Sequence, residues 1–470
     1  MNYMLINGHH VQGQGNIFNV INPADESIIT QLNGATTTQV DDAIQAAATA
    51  FQQWKKYTDT EVNMLFSQIV ADLMLQKDEI AQLISLEQGK PLALAHTEVM
   101  GGIAWIESIQ ALQIPVQVMI EGEKTIEIHH RPLGVVASIT PWNWPFMIAV
   151  WQIFPALKAK NCVVNKPSEY TPLSTLKLVE IINRHLPRGV CNLVLGHGDI
   201  GQYLSEHPQI SKITFTGSTR TGQSILSHAV GSLKSVVLEL GGNDAGIVLD
   251  DIENLDDVAQ KIFGSAFLNC GQTCAALKRL YVHCNIYDAL AEKLAQIADA
   301  QVVGNGLNAA TQIGPLQNKQ QYLKVKELIA DAVAHGAQVR TTSSIQPEQG
   351  YYIRPTIMTN LQEGVRLVDE EQFGPVLPLI KFKDINEVIV RANNTEFGLG
   401  GSVWSSDLEQ ARQLASQIEA GTVWINSHSD LSPSAVFGGW KMSGQGYSFA
   451  LEGLLLFTQQ QAIHIHQAAE

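Results

Sequence analysis

Positive charge is in short supply. Thirty Lys+Arg face 45 Asp+Glu in 470 residues, a formal net charge of −15. No basic cluster offsets that balance, so general attraction to nucleic acid phosphates or to anionic lipid is excluded, and small-molecule chemistry becomes the expected class. Cysteine is scarce as well: five residues, an odd number, in so long a chain do not form a disulfide framework. The first residues, MNYMLINGHH, lack the basic flank and long apolar region of a signal peptide. The apolar run Leu133 to Ala159 is broken by Pro141, Pro145 and Pro155 and carries Asn143 and Gln152, features a lipid-exposed helix does not tolerate cheaply. The expectation is a soluble, cytoplasmic protein. Charged residues make up only 16% and apolar residues 45%, enough for large cores, and the length suits roughly three domains or subdomains.

What the chain does have is alternation of helix and strand signals. Helical spacing runs over Val40–Trp54, with Thr37 or Thr38 as its cap, and over Glu61–Gln88. Strand patterns follow in Glu127–Ile139, Cys162–Asn165, Cys191–Leu195, Lys212–Phe215 and Ser235–Leu238. Between them lie helix patterns at Leu173–His185, Gln202–Glu206 and Thr221–Ala229. After Gly241-Gly242 the rhythm restarts with AGIVL, a helix from Leu255 and a strand at Arg279–His283. Helices at Leu290–Ala300 and Gln321–His335 come next, with strands near Ile357, at Leu377–Lys381 and at Gly421–Asn426. This predicts an α/β protein of two consecutive parallel-sheet units meeting near Glu239–Gly242. The alternating tail QQQAIHIH predicts an edge strand that pairs with another strand, conceivably one from a second subunit.

Several places could carry chemistry. Gly196-His-Gly198-Asp-Ile-Gly201 and Gly217-Ser-Thr-Arg-Thr-Gly222 are glycine-bounded strand-to-helix turns able to offer backbone N–H groups to a phosphate. The first lacks an acidic residue about 20 positions on to hold a ribose, so a plain flexible turn is an equal reading. Cys274, preceded by Gly-Gln-Thr and followed by a run read as helical, sits at a turn where helix-terminal dipoles would favour thiolate. A buried structural cysteine is the ordinary alternative. Glu239 stands at the C-terminal end of an apolar strand, where open α/β sheets place ligands. Asn143 is a rigidly bracketed amide in TPWNWP, and Lys166 in NKPSE is a solvated charge unless a ligand claims it. No His or Cys pairs occur at zinc spacing, so no metal is expected.

The motifs PWNWP (141–145), NKPSEYTP (165–172), FTGSTRTG (215–222), LELGGN (238–243), FLNCGQTC (267–274), EEQFGPVLP (370–378) and FGGWKMSGQG (437–446) occur in this order. Together they resemble the NAD(P)-dependent aldehyde dehydrogenase superfamily over essentially the whole chain. The resemblance implies a Rossmann-like cofactor domain (1–118 and 134–240), a catalytic domain (241–442) and a small β oligomerisation element (119–133 and 443–470). It implies a homodimer or homotetramer acting on a small-molecule aldehyde.

By the same resemblance Cys274 is the nucleophile, Asn143 with the Cys274 backbone N–H the oxyanion hole, and Glu239 the base that activates water. Lys166 joins this catalytic set and also the cofactor set. The cofactor contacts implied are Thr140, Trp142, Lys166, Ser168, Glu169, Gly198, Gly217, Ser218, Gly241, Glu371 and Phe373. Glu169 near a ribose 2′-OH favours NAD over NADP, because a carboxylate repels a 2′-phosphate. Retention of Glu239 favours hydrolysis over acyl transfer to CoA. Trp144, Ile148, Trp151 and Leu268 fall where relatives line the aldehyde tunnel, with Val436, Phe437 and Trp440 opposite. Leu268 replaces the arginine of succinic semialdehyde enzymes, which argues against that substrate. Cys270 reads as packing, with a redox partner for Cys274 as the alternative. Lys160, Asn165 and Val436 depart from the usual Gly, aliphatic and Pro.

Overall fold

The computed structural model describes residues 3–466. Five strands form the parallel heart of the first sheet, in the spatial order Cys191–Leu193, Cys162–Lys166, Val135–Ile139, Ile210–Thr216 and Ser235–Glu239. Most of their residues are buried, which is why they read as continuous apolar runs rather than alternating ones. Met4–Ile6 and His9–Val11 extend one edge antiparallel, and Gly444–Gln445 extends the other. From Val135–Ile139 the chain adds strands first in one direction and then, with Ile210–Thr216, in the other. That reversal opens a crevice at the C-terminal ends of these two strands, the general ligand position in such sheets.

The second sheet runs Thr356–Leu361, Val376–Phe382, Leu277–His283, Asp244–Val248, Gly400–Trp404 and Thr422–Ile425, all parallel, with Gln338–Val339 antiparallel at its edge. The two sheets therefore meet at Leu240–Asn243, between the last parallel strand of one and a central strand of the other. Each has its own apolar core. A third, three-stranded sheet joins Gln117–Glu121, Lys124–Pro132 and Thr458–His466. The tail strand thus pairs with a strand of its own chain, from Thr458 opposite Pro132 to His466 opposite Lys124.

Two local expectations are corrected, the cap of the first helix and the run after Cys274. The cap of the first helix, Thr37–Trp54, is Thr36 and not Thr37 or Thr38, because Gln39 stands three residues on and closes a capping box with it. The apolar run 133–159 divides into a strand and the 14-residue helix Pro145–Lys158, about 21 Å long and too short for a bilayer. No helix among the described residues is long and apolar enough to cross a membrane. The run after Cys274 is a strand, Leu277–His283, rather than a helix.

Two helices that flank the crevice begin without side-chain caps of their own, after Trp144 and after Pro172. Buried carboxylates from earlier in the chain replace them. Glu98 accepts the N–H groups of Phe146 and Met147 at 3.0 and 3.1 Å. Glu87 accepts those of Leu173 and Ser174 at 2.6 and 2.9 Å. A carboxylate at a helix N-terminus satisfies orphan donors and meets the positive end of the dipole. The long helices Asp59–Gln88 and Leu92–Ala111 are thereby locked to the crevice.

Candidate active site

Cys274 lies at the floor of a cleft of about 690 Å³ between the two sheets. Pro141, Trp142, Asn143, Thr216–Ser218, Leu240 and Gly241 come from the first unit, and Gln321, Lys324, Glu371 and Phe373 from the second. The cleft continues through Pro141, Trp142 and Thr216–Ser218 into a groove of about 1010 Å³ at the strand reversal, where Thr140, Lys166, Ser168, Glu169, Gly198 and Gly201 stand. All the expected cofactor residues line one or the other. Lys166 lines the groove and not the Cys274 cleft.

The nucleophile loop is built by backbone conformations that few residues adopt. Asn269 and Cys270 are left-handed at φ 54 and 58°, and Gly271 follows at φ 72°. A Cβ on Gly271 would sit 2.2 Å from the Gly374 carbonyl oxygen, so only glycine lets the loop back against the segment carrying Phe373. Cys270 points into the core of the second unit, 3% exposed, and burial pushes its thiol up. The Gly241-Gly242 pair has the same logic. A Cβ on Gly241 would lie 2.5 Å from the Glu371 carboxylate, and one on Gly242 3.0 Å from the Cys274 carbonyl.

Asn143 is held from three sides. Its backbone carbonyl accepts Asn269 Nδ2 at 2.8 Å and Lys90 Nζ at 3.0 Å, and its side-chain amide donates to the Gln272 carbonyl at 3.0 Å. That leaves one amide N–H uncommitted. Lys90 is fully buried, ion-paired to Glu98 at 2.6 Å and set 3.6 Å over the Trp144 ring; burial lowers it to about 8. Trp144 Nε1 in turn donates to Thr273 Oγ1 at 3.0 Å. Lys90, Glu98, Asn269 and Gln272 escaped the sequence reading. Only the motif membership of Asn269 and Gln272 could have flagged them, since Lys90 and Glu98 act from about 50 residues away.

Glu239 is 7% exposed, and burial raises it to about 8, with the Ser448 hydroxyl donating to Oε1 at 2.9 Å and opposing that rise. Its Oε2 has no hydrogen-bond partner among the described residues. Burial pushes the Cys274 thiol up to about 12 against the pull of Lys278, and the charges of Glu239, Asp244 and Glu371 add to the rise. An acid-base pair made reluctant to ionise by a dry site is a hallmark of reacting groups.

The expected tunnel residues divide. Trp151 lines a narrow pocket with Trp105, Tyr447, Ser448 and Phe449. Phe437 is buried, stacks on Phe449 and packs with it beside Cys274. Trp144 is committed to the loop contacts above, Ile148 is buried at 2% exposure, Leu268 opens the nucleophile turn, and Val436 and Trp440 are exposed. Trp105 and Phe449 were not anticipated; Phe449 lies just beyond the last motif.

The groove suits a dinucleotide. Ser218 caps the helix Thr219–Ala229, whose first N–H groups face the groove end. The buried Thr140 Oγ1 lacks any partner, and a Cβ on Gly198 would meet nothing within 4 Å, so the wall leaves room for a ligand. Lys166 and Glu169 stand 3.7 Å apart at one end, and Glu371 accepts the Gly242 N–H at 3.0 Å at the other.

An aldehyde dehydrogenase family profile matches residues 10–463. The chain belongs to the aldehyde dehydrogenase family. It is 36% identical to the phenylacetaldehyde dehydrogenase of Pseudomonas fluorescens over 481 residues, covering 98% of this chain and 95% of the relative. The NAD+ complex of an aldehyde dehydrogenase from Bacillus cereus superposes with a TM-score of 0.95 at 32% identity, over 99% of this chain and 96% of that one. Lactaldehyde dehydrogenase from Escherichia coli superposes at 0.95 and 31% identity, over 99% of both chains. As a family member this chain is an oxidoreductase acting on aldehydes, with the mixed α/β fold of aldehyde dehydrogenases.

Proposed function

We propose that this aldehyde dehydrogenase oxidises a small metabolic aldehyde or short semialdehyde to its carboxylic acid, with NAD preferred over NADP. One observation carries the reading: Cys274, Asn143 and Glu371 line one cleft that runs into the strand-reversal groove, with Glu239 buried alongside.

Cys274, as thiolate, adds to the aldehyde carbon, and the uncommitted Asn143 amide N–H with the Cys274 backbone N–H receives the developing oxyanion. Lys90 and Asn269 fix the Asn143 backbone so that this donor is already in place. A nicotinamide dinucleotide bound in the groove supplies the hydride acceptor. Lys166, Ser168, Glu169, Gly198, Gly217 and Ser218 would hold its adenosine and pyrophosphate end, and Thr140, Trp142, Gly241, Glu371 and Phe373 its nicotinamide end. Glu239, as carboxylate, takes a proton from the water that cleaves the acyl–sulfur bond. Trp151 and Phe437 stand on the aldehyde side, and Leu268 in place of an arginine argues against succinic semialdehyde.

The domain division given above, a homodimer or homotetramer built through the third sheet, and a cytoplasmic location complete the proposal. The decisive experiment follows NADH formation with an aldehyde panel, without CoA. Steady turnover to acid is expected, faster with NAD than with NADP. In Glu239→Gln a burst of NADH followed by slow turnover is expected; an unchanged steady rate overturns the role of Glu239.

A further inference from the structure

The helix expected after Cys274 is a strand, so that segment offers the thiol no helix N-terminus. Among the described residues, Glu239, Asp244 and Glu371 oppose a thiolate at Cys274 and the Lys278 ammonium favours it. His428 faces Asp244 at 3.4 Å. Lys324, a basic residue lining the cleft, donates to the Glu371 backbone carbonyl at 2.7 Å.

Lys278 is 2% exposed, and its placement is built. Its Nζ donates to the Thr273 carbonyl at 3.1 Å and to the Cys274 carbonyl, and stands 3.5 Å from Glu371 Oε1. Gln372 Nε2 donates to the Lys278 carbonyl at 2.8 Å and fixes its strand. We propose that Lys278 is a positioning residue: its ammonium supplies the positive charge that a thiolate at Cys274 needs, and clamps the Cys274 carbonyl to the Glu371 carboxylate. The proposal rests on reading Cys274 as the nucleophile. A buried lysine is costly to desolvate, and the backbone carbonyls with the Glu371 carboxylate offset that cost and hold the ammonium beside Cys274. One ammonium then serves two acidic partners, so removing either changes its hold on the other.

The test is the pH dependence of Cys274 alkylation by iodoacetamide in the full-length protein, read by mass spectrometry of the Cys274 peptide, which separates it from Cys284. Lys278→Gln keeps a hydrogen-bond donor and removes the charge. Its inflection should move up by at least about one pH unit, with alkylation near pH 8 about tenfold slower. Lys278→Arg should stay within about threefold of the parent at that pH. A folded Lys278→Gln with the parental profile, or an arginine variant as slow as the glutamine one, overturns the proposal. Should Lys278→Gln not fold, Glu371→Gln decides. Freed from its carboxylate partner, Lys278 should make Cys274 alkylation in Glu371→Gln at least about threefold faster than in Glu239→Gln, which removes a charge that also opposes the thiolate but does not pair with Lys278; an equal or smaller gain overturns the proposal. Alkylation needs no turnover, so this outcome is independent of the functional reading. Retained dehydrogenase activity in Cys274→Ala would overturn that reading and leave the alkylation profile untouched.

Discussion

Two turns meet at the cleft, and they are made differently. The cofactor turn Thr216–Thr221 is local: a strand ends, Gly217 allows the bend, and Ser218 accepts the Thr221 N–H at 3.3 Å to start the next helix. The nucleophile turn Leu268–Cys274 follows the helix Leu255–Phe267 directly, has three successive left-handed residues and runs on into a strand. Remote parts of the chain help hold its shape, Gly374 against Gly271 and the Asn143 carbonyl on Asn269, and Lys278, four residues on, holds the Cys274 carbonyl. A binding turn can be self-sufficient because backbone N–H groups do the binding. A reacting group must be placed relative to other side chains, and that demands tertiary support.

This contrast orders three tests. Gly271→Ala should have the largest effect, because its Cβ meets the Gly374 carbonyl and its backbone is left-handed. We expect kcat to fall about a hundredfold or more, with NAD affinity, by cofactor titration, within about threefold of the parent. Equal losses of both would dissolve the distinction between the turns.

Ser448→Ala should act in the middle range. Glu239 works as a carboxylate, so hydrolysis should rise with pH through the value near 8. The Ser448 hydroxyl stabilises that carboxylate, so its loss should move the inflection of the kcat–pH profile upward and slow turnover several-fold near pH 7.5. A shift downward would contradict the assigned direction. Ser218→Ala should be mildest. Loss of the cap costs about 1 kcal/mol of stability, and NAD affinity should weaken a few-fold with kcat unchanged. A large fall in kcat would mean that the cofactor turn also places reacting groups.

Much of the fold was legible. The parallel strands are buried on both faces and show as apolar runs, and the interleaved helices carry their period. The strand Gly400–Trp404 was not legible, because it opens with two glycines that carry no strand signal. Their value is spatial: a Cβ on Gly400 would meet Asp244 and Trp424, and one on Gly401 would meet Ile418. Only the start of the strand after Cys274 was misread: Arg279–His283 read as a strand, but Ala-Ala-Leu-Lys has helical propensity, and the strand begins at Leu277, paired with Asp244.

At the site, the residues with reactive or hydrogen-bonding side chains in distinctive motifs were visible one by one. Their supports were not. Lys160 illustrates the limit: it replaces a usual glycine yet takes φ 63°, its ammonium 2.8 Å from Asp59. Asn165, where an aliphatic is usual, donates to the Ser138 carbonyl and hydroxyl within the sheet.

The sequence by itself determined the alternation of elements, the two glycine turns and the identity of the groups that can react, because propensity, periodicity and side-chain chemistry are local. Tertiary structure alone decided which carboxylates cap the crevice helices and how dry Glu239 and Cys274 become. Those depend on desolvation and on contacts between residues far apart in the chain, and no local pattern encodes them.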